Sequence, residues 1–299
     1  MTSKTTRRQL LATIAVSAAG GLMLPRQTLA QTVTDEVAAQ LIDGDVCLIT
    51  PEVTEGPYYF DPQLVRDDIT EGRPGVPVMI RLQVVDAACK PIADARVDIW
   101  HCDATGLYSN YAGQGDDHNH PVSTKGETFM RGTQTADKNG VVTFRSVYPG
   151  WYRGRTTHVH FKVLIGEKNV LTGQLFFPDA LSEFIYQNVA PYSDRKTARD
   201  TLNADDGIAK QATRASFASV KEEAEAYLVS MIIGANPQAE SVGGGPGGPP
   251  PGGPPPGDPP AGGPPPEGGP PPGGRPPDRT PLEGEARIRA LIPGADKTE

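Results

Sequence analysis

Tyr108, Tyr152, His158 and His160 carry donor atoms of the kind that hold a hard metal ion. The two histidines stand one residue apart in GRTTHVHFKV (154–163), with Arg155 three residues ahead of them and Tyr152 three before that. Side chains two apart on a strand leave the same face, so both imidazoles reach one ion while Val159 turns into the opposite layer. Tyr108 comes from elsewhere, in DIWHCDATGLYSNY (98–111), just past Gly106. A phenol ionises at about pH 10, so tyrosine ligates at neutral pH only where a strongly Lewis-acidic ion expels its proton. Two phenolates and two imidazoles therefore suit Fe(III) better than Zn(II) or Mg(II), and they also suit Cu(II). Arg155, planar and permanently charged, can stabilise negative charge developing beside such an ion. The plainer reading of a His-x-His pair is two histidines on an open sheet face. Tyr148, in YPGWY (148–152), competes with Tyr152 as the second phenolate.

The elements that must position these residues read as short strands. They are VPVMIRLQVVD (76–86), ARVDIWHCD (95–103), VVTFRSV (141–147) after the turn ADKNG (136–140), TTHVHFKVLI (156–165) and VLTGQLFFPD (170–179). YLVSMIIG (227–234) reads as a closing strand, although KEEAEAYLVSM (221–231) has a helical alternative. Many short strands separated by turns predict an all-β fold, a β-sandwich with long active-site loops at 103–135 and 180–215.

The chain has 299 residues and a net charge of -8, which argues against a nucleic-acid partner. Residues 1–30 read as a signal peptide: Arg7 and Arg8, a short apolar run broken by Gly20 and Gly21, then Ala30. The paired arginines resemble a twin-arginine export signal, which predicts a periplasmic or extracellular protein with no stable membrane insertion once the signal is removed. Residues 31–240 form the predicted domain. From 241 to 299 the chain becomes Gly/Pro-rich and reads as a disordered tail, because it lacks apolar side chains to offset its ordering entropy. The run ARIRALI (286–292) could dock weakly.

Three cysteines, Cys47, Cys89 and Cys102, have no C-x-x-C spacing; a disulfide between Cys89 and Cys102 is one possibility, leaving the third unpaired. HNH (118–120), beside Asp116 and Asp117, reads first as a solvated loop and second as another metal site. His101 alternates away from Trp100 and reads as structural. TEGPYY (54–59) offers Tyr58 or Tyr59 to a substrate pocket.

The segments DIWHCDATGLY (98–108), TADKNGVVTFRSVYPGWY (135–152), GRTTHVHFKV (154–163) and LTGQLFFPD (171–179) resemble the intradiol ring-cleavage dioxygenases, the group of protocatechuate 3,4-dioxygenase and catechol 1,2-dioxygenase. The resemblance covers roughly residues 50–180 and is nearer to the exported, single-domain members. It implies a non-haem Fe(III) held by Tyr108, Tyr152, His158 and His160, with Arg155 and Gln174 as the active-site arginine and glutamine. It implies a catechol and O2 as substrates, with Tyr152 taking a substrate proton and the ring opening to a muconate-type dicarboxylate. A non-catalytic, transthyretin-like binding module and a mononuclear copper oxidase are the rival readings. The particular catechol and the oligomeric state stay open.

Overall fold

The computed structural model describes residues 48–61, 63–117, 119–241, 280–284 and 286–287. The expected signal peptide, Cys47 and most of the Gly/Pro tail lie outside these residues. Among the described residues there are eight strands: β1 (Pro77–Val85), β2 (Arg96–Trp100), β3 (Arg131–Thr135), β4 (Val141–Val147), β5 (His158–Ile165), β6 (Lys168–Phe176), β7 (Ser219–Glu222) and β8 (Tyr227–Gly234). An α-helix, α1 (Asp179–Asn188), follows β6. The strands form two four-stranded sheets, ordered β4-β1-β8-β7 and β3-β2-β5-β6. Only β1 and β8 pair in parallel; the other neighbours are antiparallel.

The core lies between the sheets and follows from period-2 alternation. Val78, Ile80, Leu82 and Val84 of β1 with Val229, Met231 and Ile233 of β8 face Val97 and Ile99 of β2, and Val159, Phe161 and Val163 of β5. Full burial of each such side chain contributes about 1.5–3 kcal/mol. The second sheet is unusual in being buried on its outer face as well, where Asp98, Trp100, His158, His160 and Gln174 lie. The lead-in segment 54–61 covers it. Tyr59 packs its ring on Trp100 (4.7 Å) and donates its hydroxyl to Asp98 (3.0 Å). Lys162 pairs with Glu55 and sits over the Tyr59 ring at 3.6 Å.

Three expectations need correction: two long loops and one disulfide. The stretch 103–135 is not all loop: it ends in β3, whose sequence RGTQT has no apolar alternation. Its strand geometry comes from pairing with β2 and from the hydrogen bonds with Leu64 and Arg66. The stretch 180–215 contains most of α1, two single-turn 3-10 helices and the start of a third; α1 buries only Ser182, Ile185 and Tyr186, too few apolar positions for a clear helical period. The closing strand expected over 227–234 is present as β8, and the charged run SVKE pairs with it as β7, so the helical alternative for 221–231 is not adopted. The Cys89–Cys102 disulfide is also absent. Cys89 is disulfide-bonded, whereas Cys102 is a free, buried thiol 3.5 Å from the Gly150 carbonyl.

Of the ARIRALI run, only residues 286 and 287 are among those described. Arg287 is buried and donates from Nε and Nη2 to the Glu183 carboxylate of α1, at 3.0 and 2.5 Å. Among the described residues, no helix is long and apolar enough to cross a membrane.

Candidate metal centre

Strand register assembles the first half of the site. His160 pairs across the sheet with Trp100 on one side and Gln174 on the other, and Trp100 pairs with Arg131. Directly opposed residues share a face, so Arg131, Trp100, His160 and Gln174 form one row on the outer face. The Trp100 indole stacks on the His160 imidazole, with ring centres 4.8 Å apart and planes 10° off parallel. His158 sits one step along the same face at the start of β5. Its Nδ1 donates to the Thr156 carbonyl at 2.6 Å, which leaves the Nε2 lone pair free for an ion.

Both tyrosines arrive from turns at strand ends. Asp103 shapes the first turn by accepting the Thr105 and Leu107 amides on Oδ1. Gly106 continues it at φ +86, where any Cβ would collide with the Trp151 carbonyl. This explains the glycine two residues before Tyr108: the turn lies directly against the segment that carries Tyr152. The Gly150 amide donates back to the Asp103 carbonyl at 3.0 Å, closing the two segments together. Arg195 stacks on Trp151 (3.7 Å), donates to its carbonyl and forms an ion pair with Asp116.

Tyr148 and Tyr152 leave the backbone toward different surroundings. The Tyr148 hydroxyl bonds to Ser182 Oγ of α1 at 2.8 Å and its ring packs on Phe177, inside the sandwich. The Tyr152 hydroxyl lies 3.2 Å from His158 Nε2 and 3.5 Å from the Tyr108 hydroxyl. Tyr108 Oη is likewise 3.2 Å from His158 Nε2, and the two Nε2 atoms are 3.1 Å apart. The four donor atoms thus converge. A metal–ligand bond of about 2.0–2.2 Å in a four-coordinate site places neighbouring donors roughly 3.3–3.6 Å apart, close to the observed 3.1–3.5 Å. Among the described residues no three His, Cys, Asp or Glu side chains converge anywhere; here the phenols complete the set.

The electrostatics fit a strongly charged cation. Burial pushes both phenols well above their ordinary value. Burial also holds His158 and His160 well below the imidazole range, and the Arg155 charge adds to the effect. Neutral imidazoles are ligand-ready, and buried phenols surrender protons only to a strong Lewis acid. Fe(III) fits this donor set. The His160 Nδ1 is buried with no hydrogen-bond partner among the described residues.

Arg155 spans the flank of the cluster. Its Nη1 is 3.3 Å from His158 Nε2 and 3.5 Å from the Tyr152 hydroxyl, and its Nη2 donates to Gln174 Oε1 at 2.5 Å. Gln174 Nε2 donates onward to the Thr54 carbonyl at 3.0 Å. The residue that sequence reasoning missed is Asp206, whose Oδ2 accepts from Arg155 Nε at 2.8 Å. It lies 51 positions away inside a stretch read as loop, and nothing local marks it.

Of the two tyrosines in TEGPYY, Tyr58 reaches the centre: its ring stacks on Tyr108 at 4.3 Å and lies edge-on to Tyr152 at 6.3 Å. Tyr59 is turned toward Asp98 instead. His101 is fully buried between the sheets, donating to the Cys102 carbonyl and lying 2.8 Å from Ser146 Oγ, a structural role. Burial lowers its pKa to about 4. In the HNH run, His120 is exposed and bonded to Asp117, while His118 lies outside the described residues.

A family model described as Dioxygenase matches residues 54–220, which span every residue of this centre. The chain belongs to the intradiol ring-cleavage dioxygenase family. Among solved structures it is similar to an intradiol ring-cleavage dioxygenase from Tetranychus urticae, at 32% identity and a TM-score of 0.60, over 65% of this chain and 98% of that one. Curated relatives include catechol 1,2-dioxygenase 1 of Acinetobacter lwoffii, 28% identical over 42% of this chain and 45% of the relative. Catechol 1,2-dioxygenase of Pseudomonas sp. (strain EST1001) is 35% identical over 34% of this chain and 32% of its own length. The matched region therefore spans less than half the length of these curated relatives.

Proposed function

We propose that this dioxygenase-family chain is an Fe(III)-dependent enzyme that adds both atoms of O2 to a catechol-type substrate and opens the ring between its hydroxyl-bearing carbons, giving a muconate-type dicarboxylate. The observation that carries this reading is the convergence of two phenol oxygens and two imidazole nitrogens at 3.1–3.5 Å with Arg155 beside them. The catechol 1,2-dioxygenases among its relatives support the substrate class.

Tyr108, Tyr152, His158 and His160 hold the ion. When bound, Fe(III) supplies the Lewis acidity that ionises a catechol and makes its ring electrons available to O2. Tyr152 Oη takes up a proton from a substrate hydroxyl. Arg155 Nη1, aimed at that same oxygen, stabilises the negative charge that develops there. Gln174, gripped between Arg155 and the Thr54 carbonyl, presents a fixed amide dipole to the substrate. The rings of Tyr58 and Trp100 keep bulk water from the reacting atoms, which strengthens each of these interactions.

The transthyretin-like binding module and the copper oxidase are not favoured by family membership. Export through the Arg7–Arg8 signal, with Ala30 at the cleavage site, is part of the proposal; cell fractionation and the mature N-terminal sequence test it. The central test is metal content and colour. The purified protein is expected to carry iron, to show a red-brown tyrosinate-to-Fe(III) absorption that His158→Ala bleaches, and to consume O2 with some members of a catechol panel. A colourless protein that takes up no iron overturns the reading.

A further inference from the structure

We propose that Asp206 is the positioning residue for Arg155, fixing which edge of the guanidinium faces the reacting atoms; this inference rests on the ring-cleavage reading above. The Asp206 carboxylate is almost fully buried, at 1% exposure, and each oxygen has a distinct job. Oδ2 accepts from Arg155 Nε at 2.8 Å and from the Thr156 amide at 2.9 Å. Oδ1 accepts from the Ile208 and Ala209 amides at 2.7 and 3.1 Å, at the head of a 3-10 turn. One carboxylate therefore ties a distant turn to the arginine and to the backbone two residues before His158.

The geometry leaves Arg155 a single orientation. A guanidinium is planar, with its donors in a fixed fork. With Nε on Asp206 and Nη2 on Gln174 Oε1, Nη1 is forced toward Tyr152 and His158. Gln174 holds Nη2 through a neutral amide oxygen and brings no counter-charge to the guanidinium. Asp206 also supplies the negative charge that balances Arg155 in this buried corner. A buried guanidinium without a carboxylate is costly. Asp200, which accepts the Gly154 amide at 3.1 Å, pins the other side of the same backbone.

A turn cap with no bearing on Arg155 is the plainer role for an aspartate at such a position, and the two oxygens allow the roles to be separated. Asp206→Asn keeps one oxygen for the Ile208 and Ala209 amides but turns an NH2 group toward Arg155 Nε–H and the Thr156 amide, donor against donor. Ile208→Pro does the reverse. Its backbone φ of -83 suits proline, which removes one capping N–H and leaves Oδ2 untouched.

In the iron-loaded enzyme, Asp206→Asn is expected to lower kcat by about 10- to 100-fold, the usual scale for a group supporting a metal site, with KM changed far less. Ile208→Pro should lower the unfolding temperature while leaving kcat near wild type. In an Arg155→Met background, Asp206→Asn should change kcat no further, because its effect passes through Arg155. A readout independent of turnover is the Arg155 Nε–H proton resonance in the metal-free protein. That resonance should be slow to exchange in wild type and in Ile208→Pro, and fast or lost in Asp206→Asn. Wild-type kcat in Asp206→Asn, an equal loss on the Arg155→Met background, or a protected Nε–H in Asp206→Asn each overturns the proposal. Absence of catechol turnover in iron-loaded wild type overturns the functional reading instead, and the proton resonance then still decides whether Asp206 orients Arg155.

Discussion

The two faces of the β3-β2-β5-β6 sheet are built from the same strands and do opposite work. On the inner face Val159, Phe161 and Val163 of β5 meet the other sheet in an apolar core. On the outer face, one residue out of phase, His158 and His160 join the tyrosines, Arg155 and Gln174. Both faces are buried, but for different reasons. The inner face is buried because removing apolar surface from water is favourable; the outer face is buried because segment 54–61 and the Tyr108 turn close over polar groups, several of them hydrogen-bonded within the protein, while Trp100 Nε1, Arg131 Nη1 and His160 Nδ1 have no partner among the described residues. A one-residue slip in β5 would exchange the two faces, which is why the core and the centre depend on each other.

That contrast can be broken from either side. His158→Ala should abolish iron retention and turnover while the chain stays folded, seen as metal-to-protein stoichiometry near zero with an ordinary unfolding transition. Phe161→Ala, one position from His160, should do the reverse first. It removes a ring buried against Gly173 and should cost about 3–5 kcal/mol in denaturant unfolding, with iron binding falling only as the fold does. Gly106→Ala attacks the seam between the two tyrosine-bearing segments. The left-handed backbone and the blocked Cβ position should cost about 1–3 kcal/mol and weaken the visible absorption by displacing Tyr108. Tyr148→Phe is milder still. Losing the bond to Ser182 should cost about 1 kcal/mol, and the absorption band should stay where Tyr152→Phe shifts it. The smallest effect is expected from deleting residues 241–299. The Arg287–Glu183 pair is lost, as are the bonds of Ser241 to Asn169 and Thr172 of β6, but none of these touches Tyr108, Tyr152, His158, His160 or Arg155, so turnover should hold at its wild-type value.

Much of this was written locally. The His-x-His pair needs only period-2 alternation to place both imidazoles on one face, and the strands β1, β4 and β8 match the apolar runs 76–86, 141–147 and 227–234. What was illegible had no local signature. The strand β3 is made of RGTQT and exists because β2 offers it a hydrogen-bonded edge. The Cys89 disulfide excludes Cys102 because Cys102 turns inward toward Gly150.

By itself the sequence determined the alternation of strands, the turn glycines and the identity of the donor atoms, since each is set by residues within a few positions of one another. Tertiary structure alone decided that Tyr152 rather than Tyr148 meets the histidines, and that Asp206 reaches Arg155 from 51 positions away. The physical reason is the same in both cases. Tyr148 and Tyr152 are chemically identical and four residues apart, and only the direction in which each leaves the packed backbone separates them. Asp206 differs from any other loop aspartate only through the guanidinium that the fold brings to it.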